Sequence, residues 1–160
     1  MNRCVLVIRH AEAEDGRDDR LRALTAEGRR KMGEGARGLA TLVEKLDLLV
    51  SSPLVRAVQT ADLVAEAFPQ AQRLQHTGLA PGVYPSALLQ WVSNHKGTVA
   101  LVAHEPDLSQ WIGYMVSGEP RSLVQMKKGA VCCLEMPEPA VPGEAQILWH
   151  LNLRQLRSLA

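Results

Sequence analysis

The stretch Cys4-Val5-Leu6-Val7-Ile8 is continuously apolar, rich in β-branched side chains, and stops abruptly on Arg9-His10. An apolar run without the in-out alternation of a half-exposed strand suits a strand covered on both faces, which is the pattern of a parallel sheet. The run is far too short for the core of a signal peptide or for a membrane span, and no later run reaches that length.

Outward from this strand, apolar runs alternate with helical patterns. Thr25 reads as a helix cap with Glu27 in the first turn. Met32, Ala36, Leu39, Ala40, Val43 and Leu46 follow at helical spacing, although Gly33, Gly35 and Gly38 weaken the helix and leave packing to hold it. Leu46 to Val50 is a second short strand. Ser52-Pro53 opens a second helix that carries Leu54, Val58, Ala61, Val64, Ala65 and Phe68 inward and ends before Pro69. Residues 71–79 read as a third, less hydrophobic strand. A loop with Pro81, Gly82 and Pro85 leads to a short helix containing Leu88, Leu89, Trp91 and Val92.

Val99-Ala100-Leu101-Val102-Ala103 is a further buried strand ending at His104. Pro106 starts a helix with Leu108, Ile112 and Met115 inward that stops near Gly118. Strands over 124–136 and 145–151 follow, one or both antiparallel. The alternation predicts one three-layer α/β/α domain over residues 1–160, with a mostly parallel sheet and an antiparallel edge strand.

Composition narrows the function. The chain has 160 residues, 46% hydrophobic and 22% charged, with a formal net charge of +1. That balance leaves no electrostatic footprint for nucleic acid or an anionic membrane, so any positive charge that matters is local. Aromatic residues are only 4%, which makes the core one of Leu, Val and Ala. Cys4, Cys132 and Cys133 are odd in number and lack metal-ligand spacing; they read as small core residues in a reducing compartment. The cytoplasm is the expected location.

In parallel sheets, ligands bind beyond the carboxyl ends of the strands. Three segments deliver polar residues to that edge: Arg9-His10, Ser51-Ser52-Pro53 with Arg56 shortly after, and His104. The planar guanidinium fork matches phosphate oxygens in pairs, so the convergence of two arginines with two imidazoles points to an oxyanion site.

Arg9-His10-Ala11, the run Ser51-Ser52-Pro53-Leu54-Val55-Arg56-Ala57-Val58-Gln59-Thr60-Ala61, and Val102-Ala103-His104 together resemble the histidine phosphatase superfamily, also called phosphoglycerate-mutase-like. Leu24-Thr25-Ala26-Glu27-Gly28 is similar as well. The compact length, His104-Glu105-Pro106 and Lys128-Gly129-Ala130-Val131 look most like the SixA-type protein phosphohistidine phosphatases.

The resemblance implies that His10 is the nucleophile and forms a phosphohistidine intermediate. It implies that Arg9, Arg56 and a protonated His104 clamp the phosphoryl oxygens. No cofactor or metal is implied; His76, His95 and His150 lack ligand partners at useful spacing and read as structural or surface residues.

The chain departs from the family pattern at two places. Ala11 stands where the family has glycine, and ordinary φ is expected there. The segment Leu79-Ala80-Pro81-Gly82-Val83 has no carboxylate where many members carry the general acid. Glu12 is a candidate substitute, as is Glu105. A missing acid fits a good leaving group such as the imidazole of a phosphoramidate. The short connections leave no room for a cap insertion, so the pocket is expected to be open to a side chain on another protein. The expected substrate is phosphohistidine on a protein, such as a phosphorelay domain. A phosphatase for a small phosphoester, and a non-catalytic phosphate- or phosphoprotein-binding module, are the alternatives.

Overall fold

The computed structural model describes residues 2–82 and 85–160. Six strands form one sheet: β1 (Asn2–Arg9), β2 (Leu48–Ser51), β3 (Gln72–Gln75), β4 (Val99–Ala103), β5 (Val131–Pro137) and β6 (Gln146–Leu151). Their order across the sheet is β3-β2-β4-β1-β5-β6. The first four of these neighbours run parallel, and β5 and β6 are both antiparallel. Five α-helices are described: α1 (Ala26–Leu42), α2 (Val55–Ala67), α3 (Pro85–Ser93), α4 (Asp107–Ser117) and α5 (Leu153–Arg157).

Alternate residues of β1 feed two separate cores, because successive side chains leave opposite faces of a strand. Val5 and Val7 pack with Trp111, Ile112 and Met115 of α4, while Leu6 and Ile8 pack with Met32 and Leu39 of α1 and Ala61 of α2. The sheet is thus covered on both sides, as the unbroken apolar run requires. Register then aligns the strand ends. Arg9 pairs with Ala103 and Ser51 with Val102, so β1, β4 and β2 finish together.

Several element boundaries differ from the sequence reading. The third strand covers only Gln72–Gln75, and residues 77–79 form a 3₁₀ turn instead. This edge strand has one covered neighbour, β2, and needs few apolar residues. The segment before β5 is not a strand: Gly129 has φ +76°, outside the strand region, and pairing begins only at Val131. The second helix starts after Leu54 rather than at Ser52, whose hydroxyl instead accepts the Leu54 N–H at 3.2 Å. Helix α5 went unread. Its signal is a capping box, in which Asn152 and Gln155 each bond the other's backbone.

The glycines of α1 divide by what lies beside them. Gly35 and Gly38 are buried where α5 crosses: a Cβ at Gly38 would run into the Leu156 carbonyl, and one at Gly35 into Leu153. Nothing lies within 4 Å of a Cβ added at Gly33. Gly33→Ala is therefore expected to stabilise the protein by about 0.5–1 kcal/mol through helix propensity. Gly38→Ala should destabilise it by about 1–3 kcal/mol through overpacking against backbone. Urea unfolding of the two variants checks both signs; equal shifts would contradict this packing of α5.

Candidate active site

The aligned strand ends put Arg9 and His10 (at the end of β1), Ser51 and Ser52 (at the end of β2) and His104 (after β4) in one row. Backbone bonds fix it: His10 N–H donates to Ala103 O at 3.1 Å and Ser52 N–H to Val102 O at 2.9 Å. Arg56, the second residue of α2, reaches back into the row. Its Nε–H points at His10 Nε2, 3.4 Å away. The His10 and His104 rings lie 5.3 Å apart between centroids. Arg56, His10 and His104 are each at most 6% exposed.

His10 Nδ1 lies 2.8 Å from the Ala11 carbonyl. A carbonyl can only accept, so Nδ1 carries the proton and Nε2 keeps its lone pair. That lone pair faces the Arg56 Nε–H. Burial is the largest influence on this imidazole and, with Arg56, Arg9 and Arg22, pushes its pKa down to about 4. The His10 imidazole is therefore neutral at physiological pH. Ala11 is fully buried, and no described non-glycine residue has positive φ. Its N–H donates to Thr60 Oγ at 3.0 Å, and that hydroxyl donates to the Arg56 carbonyl at 2.8 Å. Thr60 thus ties the strand end that carries His10 to the helix that carries Arg56. Gln59, beside it, accepts the Leu24 N–H at 2.7 Å and holds the segment leading into α1.

Arg9 donates from Nη1 to Met126 O at 3.0 Å. His104 Nε2 meets Ser52 Oγ at 2.7 Å, while its buried Nδ1 has no partner. Burial first, then His10, Arg56 and Arg9, push the His104 pKa down to about 3, against a small opposing pull from Asp19. The expected protonated His104 does not describe this cluster as it stands. Packed with cations it is neutral, and only an added anion, such as a phosphoryl dianion, would pull its pKa back up.

The structure also brings in a residue that the sequence reading did not select. Asp19 sits on a 3₁₀ turn (Asp19–Leu21), where its carbonyl accepts Arg56 Nη1 at 2.7 Å and its carboxylate accepts Nη2 at 3.2 Å. Arg22 Nη1 donates to the same carboxylate at 3.0 Å. The hydrogen bond from Arg22 is the main reason that the Asp19 carboxyl lies below the usual range, so it is ionised and is no proton donor. It holds the far side of Arg56 while Nε faces His10.

The two carboxylates expected near the site are engaged elsewhere. Glu12 is exposed and accepts the Thr25 hydroxyl at 2.8 Å. Glu105 caps α4, accepting the Ser109 N–H at 2.8 Å together with the Ser109 hydroxyl. Of the acid-free segment 79–83, Val83 lies outside the described residues; Leu79 is buried and Ala80 to Gly82 form a turn. His76 caps the 3₁₀ turn over residues 77–79 by accepting the Gly78 N–H, and His95 stacks on Trp91 at 4.0 Å, which are structural roles.

Both active-site imidazoles bind protons more weakly in the folded protein than at their ordinary value of 6.5. Between about pH 4 and 6.5 the unfolded chain therefore carries more protons at these positions. Stability rises with pH across this window and is lost as pH falls through it. Thermal unfolding of a His10→Asn/His104→Asn variant should show a shallower loss of Tm between those limits than the parent; parallel curves would contradict the buried neutral pair.

The description "histidine phosphatase superfamily (branch 1)" matches residues 5–79. An uncharacterized protein of Picosynechococcus sp. is 33% identical over 148 residues, spanning 89% of this chain and 85% of the relative. Among solved structures, the protein histidine phosphatase SixA complexed with tungstate superposes with a TM-score of 0.82 at 19% identity, covering 96% of this chain and 99% of the other. A mycobacterial glucosyl-3-phosphoglycerate phosphatase superposes at 0.69 with 17% identity, over 92% of this chain and 98% of the other. Both structural likenesses concern the fold.

Proposed function

The chain belongs to the histidine phosphatase superfamily, and from that premise we propose that it removes the phosphoryl group from phosphohistidine on a protein, through a phosphohistidine intermediate on His10. The observation that carries this reading is the His10 imidazole. Nδ1–H is anchored on the Ala11 carbonyl, and the unprotonated Nε2 faces the Arg56 guanidinium.

In the first half-reaction His10 Nε2 attacks phosphorus in line, and the bond from phosphorus to the substrate imidazole nitrogen breaks. Arg9, Arg56 and His104 hold the equatorial oxygens, whose charge they stabilise in the transition state. Nδ1–H stays on Ala11 O, so the positive charge that develops on His10 is offset by a carbonyl dipole. Water then attacks the phosphorus of the intermediate, releasing inorganic phosphate and restoring His10.

Two observations favour an imidazole leaving group. Glu12 and Glu105 are tied to Thr25 and Ser109, and Asp19 is ionised between two arginines, so none is placed as a strong general acid. Imidazole leaves a phosphoramidate far more readily than an unprotonated alkoxide leaves an ester. The chain also reads as a single domain without a cap insertion, which suits a side chain presented by another protein.

The test is to incubate the protein with a ³²P-phosphohistidine protein and quench rapidly in alkali. Label that is acid-labile, stable in alkali and maps to His10 is the expected result. Faster turnover of sugar phosphates or p-nitrophenyl phosphate than of phosphohistidine would favour a small phosphoester. Binding with neither label nor released phosphate would favour a non-catalytic reader.

A further inference from the structure

The loop before β5 is bound to the backbone of the nucleophile. Gly129 N–H is shared between the carbonyls of Arg9 and His10, at 3.1 Å each, and Arg9 N–H donates to Ala130 O at 3.1 Å. Immediately before this junction, Lys127 and Lys128 stand exposed on one wall of an open groove of about 590 Å³. Helix α5 and its caps form the other wall, with Arg154 and Gln155 from the helix and Asn152 and Ser158 at its two ends.

No carboxylate lines this groove. Among the described residues, Lys127, Lys128 and Arg154 enter no ion pair, whereas Arg157 on the same helix is paired with Glu34 at 2.7 Å. Three uncompensated cations therefore share one groove, and its Lys128 adjoins Gly129, whose N–H donates to the His10 carbonyl, in a chain whose net charge is only +1.

We propose that this groove docks an acidic segment of the protein that carries the phosphorylated side chain, and so presents its phosphoryl group to His10. The proposal rests on the phosphoprotein reading above. Lysine ammonium groups on flexible stems accept carboxylates without strict geometry, and the amide and hydroxyl groups of Asn152, Gln155 and Ser158 suit a peptide backbone. No aromatic side chain lines the groove to stack a base, which disfavours single-stranded nucleic acid. Complementary charge of this kind acts mainly on encounter and orientation, and salt weakens it.

The probes are two synthetic peptides whose central histidine is phosphorylated with phosphoramidate, one flanked by glutamates and one by alanines. The native protein is expected to favour the acidic peptide by about tenfold in kcat/KM at low salt, with the preference fading near 0.5 M salt. The exposed triple reversal Lys127→Glu/Lys128→Glu/Arg154→Glu should erase the preference while p-nitrophenyl phosphate is hydrolysed as before. A milder Lys127→Ala/Lys128→Ala variant should reduce it if the reversal fails to fold. Equal kcat/KM for the two peptides, or a preference that survives reversal, overturns the docking proposal.

If p-nitrophenyl phosphate is turned over but neither peptide is, the phosphohistidine reading fails. Docking is then judged from peptide binding by fluorescence anisotropy, where tighter binding of the acidic peptide that reversal removes supports it. Equal binding overturns it, as does tighter binding of a single-stranded RNA oligonucleotide.

Discussion

Replacing His10 with alanine is expected to lower phosphatase kcat by at least about 10⁴-fold and to remove all acid-labile label from the protein, because it takes away the nitrogen that bonds to phosphorus in the proposed mechanism. The neighbouring imidazole, His104, belongs to the proposed clamp on the phosphoryl oxygens, and its Nε2 lies 2.7 Å from Ser52 Oγ. His10→Asn adds a control, since its side chain can approach the Ala11 carbonyl as Nδ1–H does but has no nucleophilic nitrogen. The two variants should be equally inactive. Full label on either, mapped to another residue, would sink the assignment of His10, and rapid release of phosphate without any label would sink covalent catalysis.

Removing Arg56 should have the next largest effect. Its Nε faces His10 Nε2 at 3.4 Å, and both its Nη nitrogens are bound by Asp19, so the guanidinium is held in place before any substrate arrives. Loss of one preorganised donor of this kind costs on the order of 10²–10³ in kcat. Arg56→Lys should recover little of it, because an ammonium cannot hold Asp19 with two nitrogens while a third faces the phosphoryl group. The expected pattern is a fall mainly in kcat, with a circular dichroism spectrum like that of the parent. An Arg56→Lys variant within about threefold of native kcat would show that charge alone, rather than the fork, is what the site uses. Arg56→Ala also strips Asp19 of one partner, so its Tm must be recorded beside its rate.

Much of this architecture was legible in the chain itself, for a simple reason. Buried parallel strands are unbroken apolar runs, and β1 and β4 announce themselves in Val5 to Ile8 and Val99 to Ala103. Once the strands are known to be parallel, their carboxyl ends share one edge, and Arg9-His10, Ser52 and His104 must be neighbours there. The weaker elements were less legible. β3 has a single apolar residue, Leu74, in its four, and α5 has only five residues, too few for periodicity to speak. The three glycines of α1 look alike in sequence, yet two of them are the crossing point of α5 and one is merely open.

By itself the sequence determined which side chains leave the strand ends, because strand period and direction are local properties of the chain. Only the tertiary structure decided their chemical state. Whether His10 offers Nε2 depends on the position of the Ala11 carbonyl, and whether His104 is charged depends on how many cations and how much protein surround it. That Asp19 rather than Glu12 reaches the site depends on how a polar loop without periodicity folds back onto Arg56. These are matters of distance across the chain, and electrostatic and hydrogen-bond energies depend on distance in space, which spacing along the sequence does not encode.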